Sequence, residues 1–199
     1  MDNKSEIKIE KIDYDEALRY LGYKNIEPDD HTRELLLLCE KDFLDACKAN
    51  YVYKVFDLDG VDIVGCDFEL EGEDIKRHLD GCTKVIFLCV TLGNEVDALI
   101  RKKQITALSE AVIIDSVASS VVEQACDETE NIIMKEFEGY EKTHRYGLGY
   151  GDFPLSGQKK FLATLDALKR VGVSVTDSDM LTPTKSVTCV IGLKEASDE

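Results

Sequence analysis

The stretch YVYKVFDLDGVDIVGCDFEL, residues 51–70, decides the fold class. Val, Tyr and Phe crowd its first half, Asp59-Gly60 interrupts it, and a second β-rich run follows; an Asp-Gly pair accepts the positive φ angles of a tight hairpin turn. The stretch therefore predicts an antiparallel hairpin. Working outward, residues 84–91 (KVIFLCVT) form a continuous apolar, β-rich run and predict a central strand. A short helix is expected over 73–79, a helix starting near Asn94 in LGNEVDALIRKKQ, and one long helix, or two in succession, from Thr106 to about Glu138. A further helix is expected from Ser156, as N-cap, to a stop at Gly172, and a closing strand from Ser186 to Leu193. The hairpin precedes the crossover helices and strands do not alternate regularly with helices. An α+β fold with a twisted, mostly antiparallel or mixed sheet flanked by helices is thus favoured over a doubly wound one.

Upstream, residues 1–50 read as a helical segment. Asp13 is a plausible N-cap with Glu16 three residues later, and Ala17, Leu18 and Leu21 follow at helical spacing up to Gly22. Pro28 and Asp29-Asp30 introduce a second helix with the stripe Leu36, Leu37, Leu44 and Cys47. No repeat, low-complexity tract or linker divides the 199 residues, which are read as one domain spanning 1–199, with sheet and helices over 51–199.

The formal charge is −16, from 40 acidic against 24 basic residues, so the average surface repels phosphate backbones and anionic lipid. Nucleic-acid and membrane-surface partners are excluded on that ground. Cys39, Cys47, Cys66, Cys82, Cys89, Cys126 and Cys189 are scattered, odd in number and without metal-ligand spacing to the three histidines. They read as reduced structural thiols. The start MDNKSEIKIEK lacks the apolar core of a signal peptide and no apolar run reaches about 18 residues. A soluble, cytoplasmic protein without a bound metal is expected.

RYGLGYGDFPLSGQKK, residues 145–160, is the one stretch with neither helical nor strand character at its start. Its Gly147-x-Gly149-x-Gly151 spacing is not the dinucleotide fingerprint, which needs a preceding strand and other glycine positions, and no phosphate-binding GxxxxGK[ST] occurs. What remains is a flexible loop in which Arg145 can grip a carboxylate with two prongs and Tyr146 or Tyr150 can stack or hydrogen-bond. Those residues fit a small ligand carrying a carboxylate and a flat ring; an arginine salt bridge with turn glycines fits them equally. On the long helix, Asp115, Ser116, Ser119 and Glu123 make a polar patch, either tied to another helix or lining a cleft. His31, His78 and His144 read as surface histidines, no Ser or Cys nucleophile is paired with His144 in sequence, and no catalytic residue is assigned.

These residues carry a resemblance. The run from Arg145 to Leu193, with its RxxxGY loop, helix and closing "MLTPTKSVTCVIGL", resembles the C-terminal part of the reactivation domain of cobalamin-dependent methionine synthase. TLGNEVDALI, IIDSVASSVVEQACDE and IDYDEALRYLGY are similar, more loosely, to that family's earlier segments. The resemblance implies a helmet-like α+β domain that binds S-adenosylmethionine and docks on a cobalamin-binding module of methionine synthase or a related corrinoid protein. There, an electron from flavodoxin or a ferredoxin-like donor and the methyl group of S-adenosylmethionine restore an oxidised cobalamin, which the partner carries. By position, Arg145 would hold the methionyl carboxylate, Tyr150, Gly149 and the backbone at Tyr146 would contact the ligand, and Asp13 would meet its cationic end. Ser119 stands where the family has a ligand-binding glutamate, with Glu123 one turn on as its substitute. The family domain also continues past the closing strand, whereas this sequence stops at Glu199 without folate, homocysteine or cobalamin modules, which implies a stand-alone protein acting in trans. Two other readings are a corrinoid-docking or regulatory module that transfers no methyl group, and an unrelated small-molecule enzyme using His144 and Asp115.

Overall fold

The apolar run 84–91 lies at the middle of the sheet, and every side chain from Val85 to Thr91 is buried. A strand apolar on both faces needs cover on both faces, and the rest of the chain supplies it. The computed structural model describes residues 4–24 and 26–196. The first three residues and the end at Glu199, on which the expected tail truncation turns, lie outside them. In chain order the elements are β1 (Lys4–Glu6), α1 (Tyr14–Tyr20), α2 (Asp30–Ala46), β2 (Asn50–Asp59), β3 (Asp62–Ile63), α3 (Glu73–His78) and β4 (Lys84–Thr91). There follow α4 (Asn94–Thr106), α5 (Leu108–Met134), β5 (Tyr140–Lys142), β6 (Tyr146–Gly147), a 3-10 turn (Leu155–Gly157), α6 (Gln158–Leu165), α7 (Ala167–Val171), β7 (Ser174–Val175), β8 (Leu181–Thr182) and β9 (Ser186–Glu195).

The main sheet runs β1-β2-β4-β9-β5, with β3 on β2 and β6 on β9, and β7-β8 form a separate ribbon. All the pairings are antiparallel, as expected for the α+β class. Register sorts the core. Ile86 faces Ile191 across β4 and β9, and with Leu88, Val90, Tyr51 and Tyr53 it packs beneath α1, α2, α4 and α5. Val85, Phe87 and Cys89 point the other way, to Phe68, Phe153, Phe161 and the α6–α7 layer. Phe87 stacks on Phe161 at 4.5 Å between ring centroids and takes Phe56 and Phe68 edge-on, each at 5.1 Å.

Several local expectations change. The Asp59-Gly60 turn is present, with Gly60 at φ +62 and Asp59 opposite Asp62, but the second strand lasts two residues. Beyond Ile63 the chain bends at Gly65 (φ +73) and drives Phe68 and Leu70 into the core over the sheet face. Burial wins there over ladder pairing. The helix expected from Ser156 to Gly172 is broken by Asp166 in the left-handed region (φ 55), a conformation aspartate tolerates, and Ser156 does not cap it. Leu37, expected on the apolar stripe of α2, is 65% exposed. α5 is one continuous helix of 27 residues, which settles the choice between one and two. β1 has no counterpart in the sequence reading. Among the described residues no helix is long and apolar enough to cross a membrane, and no His, Cys, Asp and Glu cluster could hold a metal ion.

Candidate functional site

α5 lies across one sheet face, and its small polar residues strap the chain around α1 to it. Ser116 Oγ donates to the Ala17 carbonyl at 3.0 Å, Ser120 Oγ to that of Asp13 at 3.3 Å, and Gln124 Nε2 to that of Lys11 at 3.3 Å. Ser116 thus belongs to a tie between helices. Asp13 caps α1, its carboxylate accepting from Glu16 N at 3.1 Å. Between this strap and α5 opens a cleft of about 770 Å³ lined by Asp13, Asp15, Glu16, Glu123 and Asp127, with Lys11 at its edge. Of these five carboxylates Glu16 is bonded to Arg19, and Glu123 and Asp127 to Arg145, so the acidic excess of the cleft rests on Asp13 and Asp15.

Glu123, Asp127 and Glu130 follow one another at helical spacing along α5, and Arg145, just ahead of β6, sits against them. Arg145 Nη1 donates to Asp127 Oδ1 at 2.7 Å and to Glu130 Oε1, and Nη2 donates to Glu123 Oε2 at 2.9 Å. Lys142 donates to the other Glu130 oxygen. Burial opposes the charge on Arg145, and the bonds to Asp127 and Glu130 outweigh it, so its pKa is raised and the guanidinium stays charged. Glu130 is 4% exposed at its side chain, against 40% for Glu123 and 66% for Asp127.

Arg145 also borders a second cleft of about 600 Å³, with Gly147, Leu148, Tyr150, Gln158 and Thr188. Glu123 lines both clefts and marks where they meet. Tyr150 is 68% exposed and lies over Gly147, where a Cβ would stand 3.1 Å from the Tyr150 ring. The missing side chain at 147 is what admits that ring. Gly149 has a different duty: φ +90 turns the loop, and its N–H donates to the Phe153 carbonyl at 2.8 Å. The far end of the loop is pinned to α3, where Asp152 accepts from Glu73 N at 2.7 Å and Asp74 N at 3.0 Å; those bonds hold its carboxyl below the usual range.

Of the residues singled out by sequence, Arg145, Tyr150 and Glu123 therefore meet in one cleft, and Asp13 meets Glu123 in the other. Tyr146 pairs with Val190 across β6 and β9 and lines neither cleft; its ring lies 4.9 Å from that of His78, 6.4 Å from that of Phe153 and 6.5 Å from that of Tyr150. Ser119 accepts from Lys185 Nζ at 2.9 Å, and the same ammonium pairs with Asp115 at 2.9 Å. His144 lies 4.4 Å from the ring of His78, whose pKa is lowered by burial and by that neighbour. His144 and Asp115 thus keep separate partners and do not form a pair. Gln158 and Thr188 were missed; an i, i+3 or i, i+4 search cannot link residues on a helix and a strand. Asp127 and Glu130 were recoverable, since they repeat the Glu123 position one and two turns along.

No family model matches the chain, and no curated protein matches its sequence. Among solved structures, the fold matches a crystal structure of the MetH reactivation domain bound to AdoHcy, with a TM-score of 0.72 over 99% of this chain and 79% of that one. The sequences are 16% identical over the match, so what the two share is the fold: α+β, with an open, mostly antiparallel sheet.

Proposed function

We propose that this chain binds S-adenosylmethionine at the junction of the two clefts and supplies its methyl group to reactivate a cobalamin-dependent methionine synthase. The observation that carries the reading is the placing of Arg145 beside an acid-lined cleft on α5, in a chain with the fold of an AdoHcy-bound domain. The donor set fits the ligand. Arg145 suits the methionyl carboxylate, Glu123 and Asp13 suit the ammonium and sulfonium charges, and Tyr150 offers a face to the adenine. Gly149 and the backbone at Tyr146 set the loop that presents Arg145 and Tyr150. The cobalamin, held by a corrinoid module outside these 199 residues, would supply the methyl acceptor, with one electron from flavodoxin or a ferredoxin-like donor. This chain's part is to hold the methyl group in line and keep water from it, since positioning rather than acid or base chemistry lowers such a barrier.

The second reading, a corrinoid-docking module without methyl transfer, has one observation in its favour. Where the resemblance expects a ligand-binding glutamate, Ser119 is bonded to the Lys185 ammonium. Calorimetric titration with S-adenosylmethionine decides between them. Wild type should bind and Arg145→Ala should bind more weakly, by up to about tenfold, since the ligand carboxylate exchanges with an acid already on Arg145 and gains only part of the about 1.5–3 kcal/mol of a charge-assisted bond. No heat from wild type at millimolar ligand would remove the methyl-donor role, and equal binding by both proteins would show that Arg145 is not the clamp.

A further inference from the structure

The Gln158 carboxamide lines the Arg145 cleft with its acceptor oxygen unspent. Its side chain, at the first position of α6, is 2% exposed, and its Nε2 donates to Thr188 Oγ1 on β9 at 2.7 Å. Its Oε1 is buried and accepts from none of the described residues. A buried carbonyl oxygen without a donor costs about 1–3 kcal/mol, which a donor brought to it by a guest would recover. The Thr188 bond fixes the amide plane, and the cleft is mixed: Leu148, Leu155, Met180 and Tyr150 line it together with the hydroxyls of Thr176, Thr182 and Ser186.

A cleft with apolar and aromatic side chains and a buried, oriented acceptor suits a flat heterocycle bearing an N–H donor. On the reading above, the ligand's heterocycle is adenine. Its ring nitrogens only accept, and its one donor on the base is the exocyclic 6-amino group. We infer that Gln158 Oε1 takes a hydrogen bond from that amino group, so that this cleft selects 6-aminopurine nucleosides over 6-oxopurine ones. A 6-oxo group would set a second acceptor against Oε1, and the base's N–H would move to ring position 1, out of line with it, which is where discrimination by a buried polar group is strong. The inference rests on the adenosyl reading of the cleft, and it adds a residue and a selectivity to it.

The test is calorimetry with AdoHcy and its 6-oxo analogue S-inosylhomocysteine, on wild type, Gln158→Leu and Thr188→Val, with thermal melts to show that each variant is folded. Wild type should bind AdoHcy about tenfold or more tightly than the inosyl compound, tenfold corresponding to about 1.4 kcal/mol. Gln158→Leu should bring the two affinities within about twofold, and Thr188→Val, which frees the amide to turn, should fall between. Equal binding of the two compounds by wild type would overturn the inference while leaving the adenosyl reading standing, and this arm needs no variant to fold. Discrimination that survives in a folded Gln158→Leu protein would overturn it as well. If wild type binds neither compound, the adenosyl reading falls and the inference falls with it.

Discussion

Glu130 and Arg145 are bonded to each other at the edge of the cleft, and Glu130 is the one carboxylate partner of Arg145 withdrawn from solvent. It also carries Lys142, so one buried carboxylate serves two cations. Glu130→Gln should therefore destabilise the protein by about 1–3 kcal/mol, read as a lower urea midpoint, because two cations lose their shared anion at once. Asp127→Ala, at an exposed partner, should cost less than about 1 kcal/mol. Equal small shifts would mean that Glu130 contributes no more than a surface pair.

The two loop glycines should respond differently to alanine. Gly149→Ala puts a side chain at φ +90 and 3.3 Å from Leu155, and should lower stability by about 1–2 kcal/mol. At Gly147 the backbone is unstrained and the new methyl crowds the exposed Tyr150 ring, which can swing away, while the Thr188 carbonyl oxygen at 3.4 Å is in ordinary contact. Gly147→Ala should leave the melting temperature nearly unchanged and weaken S-adenosylmethionine binding. A large stability loss at 147 would contradict this account of the loop.

Phe87→Ala should be among the most damaging single changes, costing about 3–5 kcal/mol. The ring is fully buried and touches Phe56, Phe68 and Phe161, so its removal opens a cavity beneath the α6–α7 layer. A urea midpoint within error of wild type would show that this aromatic cluster repacks.

Stability should fall as pH rises above about 9. Burial pushes the Cys39 and Cys47 thiols up to about 11, and burial with the Glu136 carboxylate pushes Tyr53 up to about 12. Unfolded chains release these protons near pH 9 for thiols and pH 10 for tyrosine, so above those values the unfolded state binds fewer protons and is favoured. The stabilisation is complete below pH 9 and is lost as pH climbs toward the folded values. Urea midpoints at pH 8, 9, 10 and 11, under reducing conditions, check the sign; a flat or rising profile would refute it.

Most of the fold was legible because its signals are local. The apolar run of β4, the Asp-Gly turn after β2, the Asp13 cap and the α5 periodicity each depend on neighbours within a few residues. What failed depended on distant partners. Whether Phe68 sits in a strand or dives onto Phe87 is decided by α6, and nothing near Leu37 in the chain says that its side of α2 is left uncovered. The site followed the same division. Arg145 and Tyr150 stand out by type and spacing, whereas the meaning of Gln158 exists only once Thr188 of β9 lies beside it.

The collar of acids around Arg145 has a thermodynamic corollary for whatever docks there. A carboxylate arriving at this guanidinium does not fill an open berth; it exchanges with one already moored. Its affinity is then the difference between two bonds of the same kind, small even when each is strong. Thinning the collar should accordingly have an effect opposite to the usual loss on mutation: Asp127→Ala would make Arg145 a hungrier host, and carboxylate-bearing ligands would hold on longer.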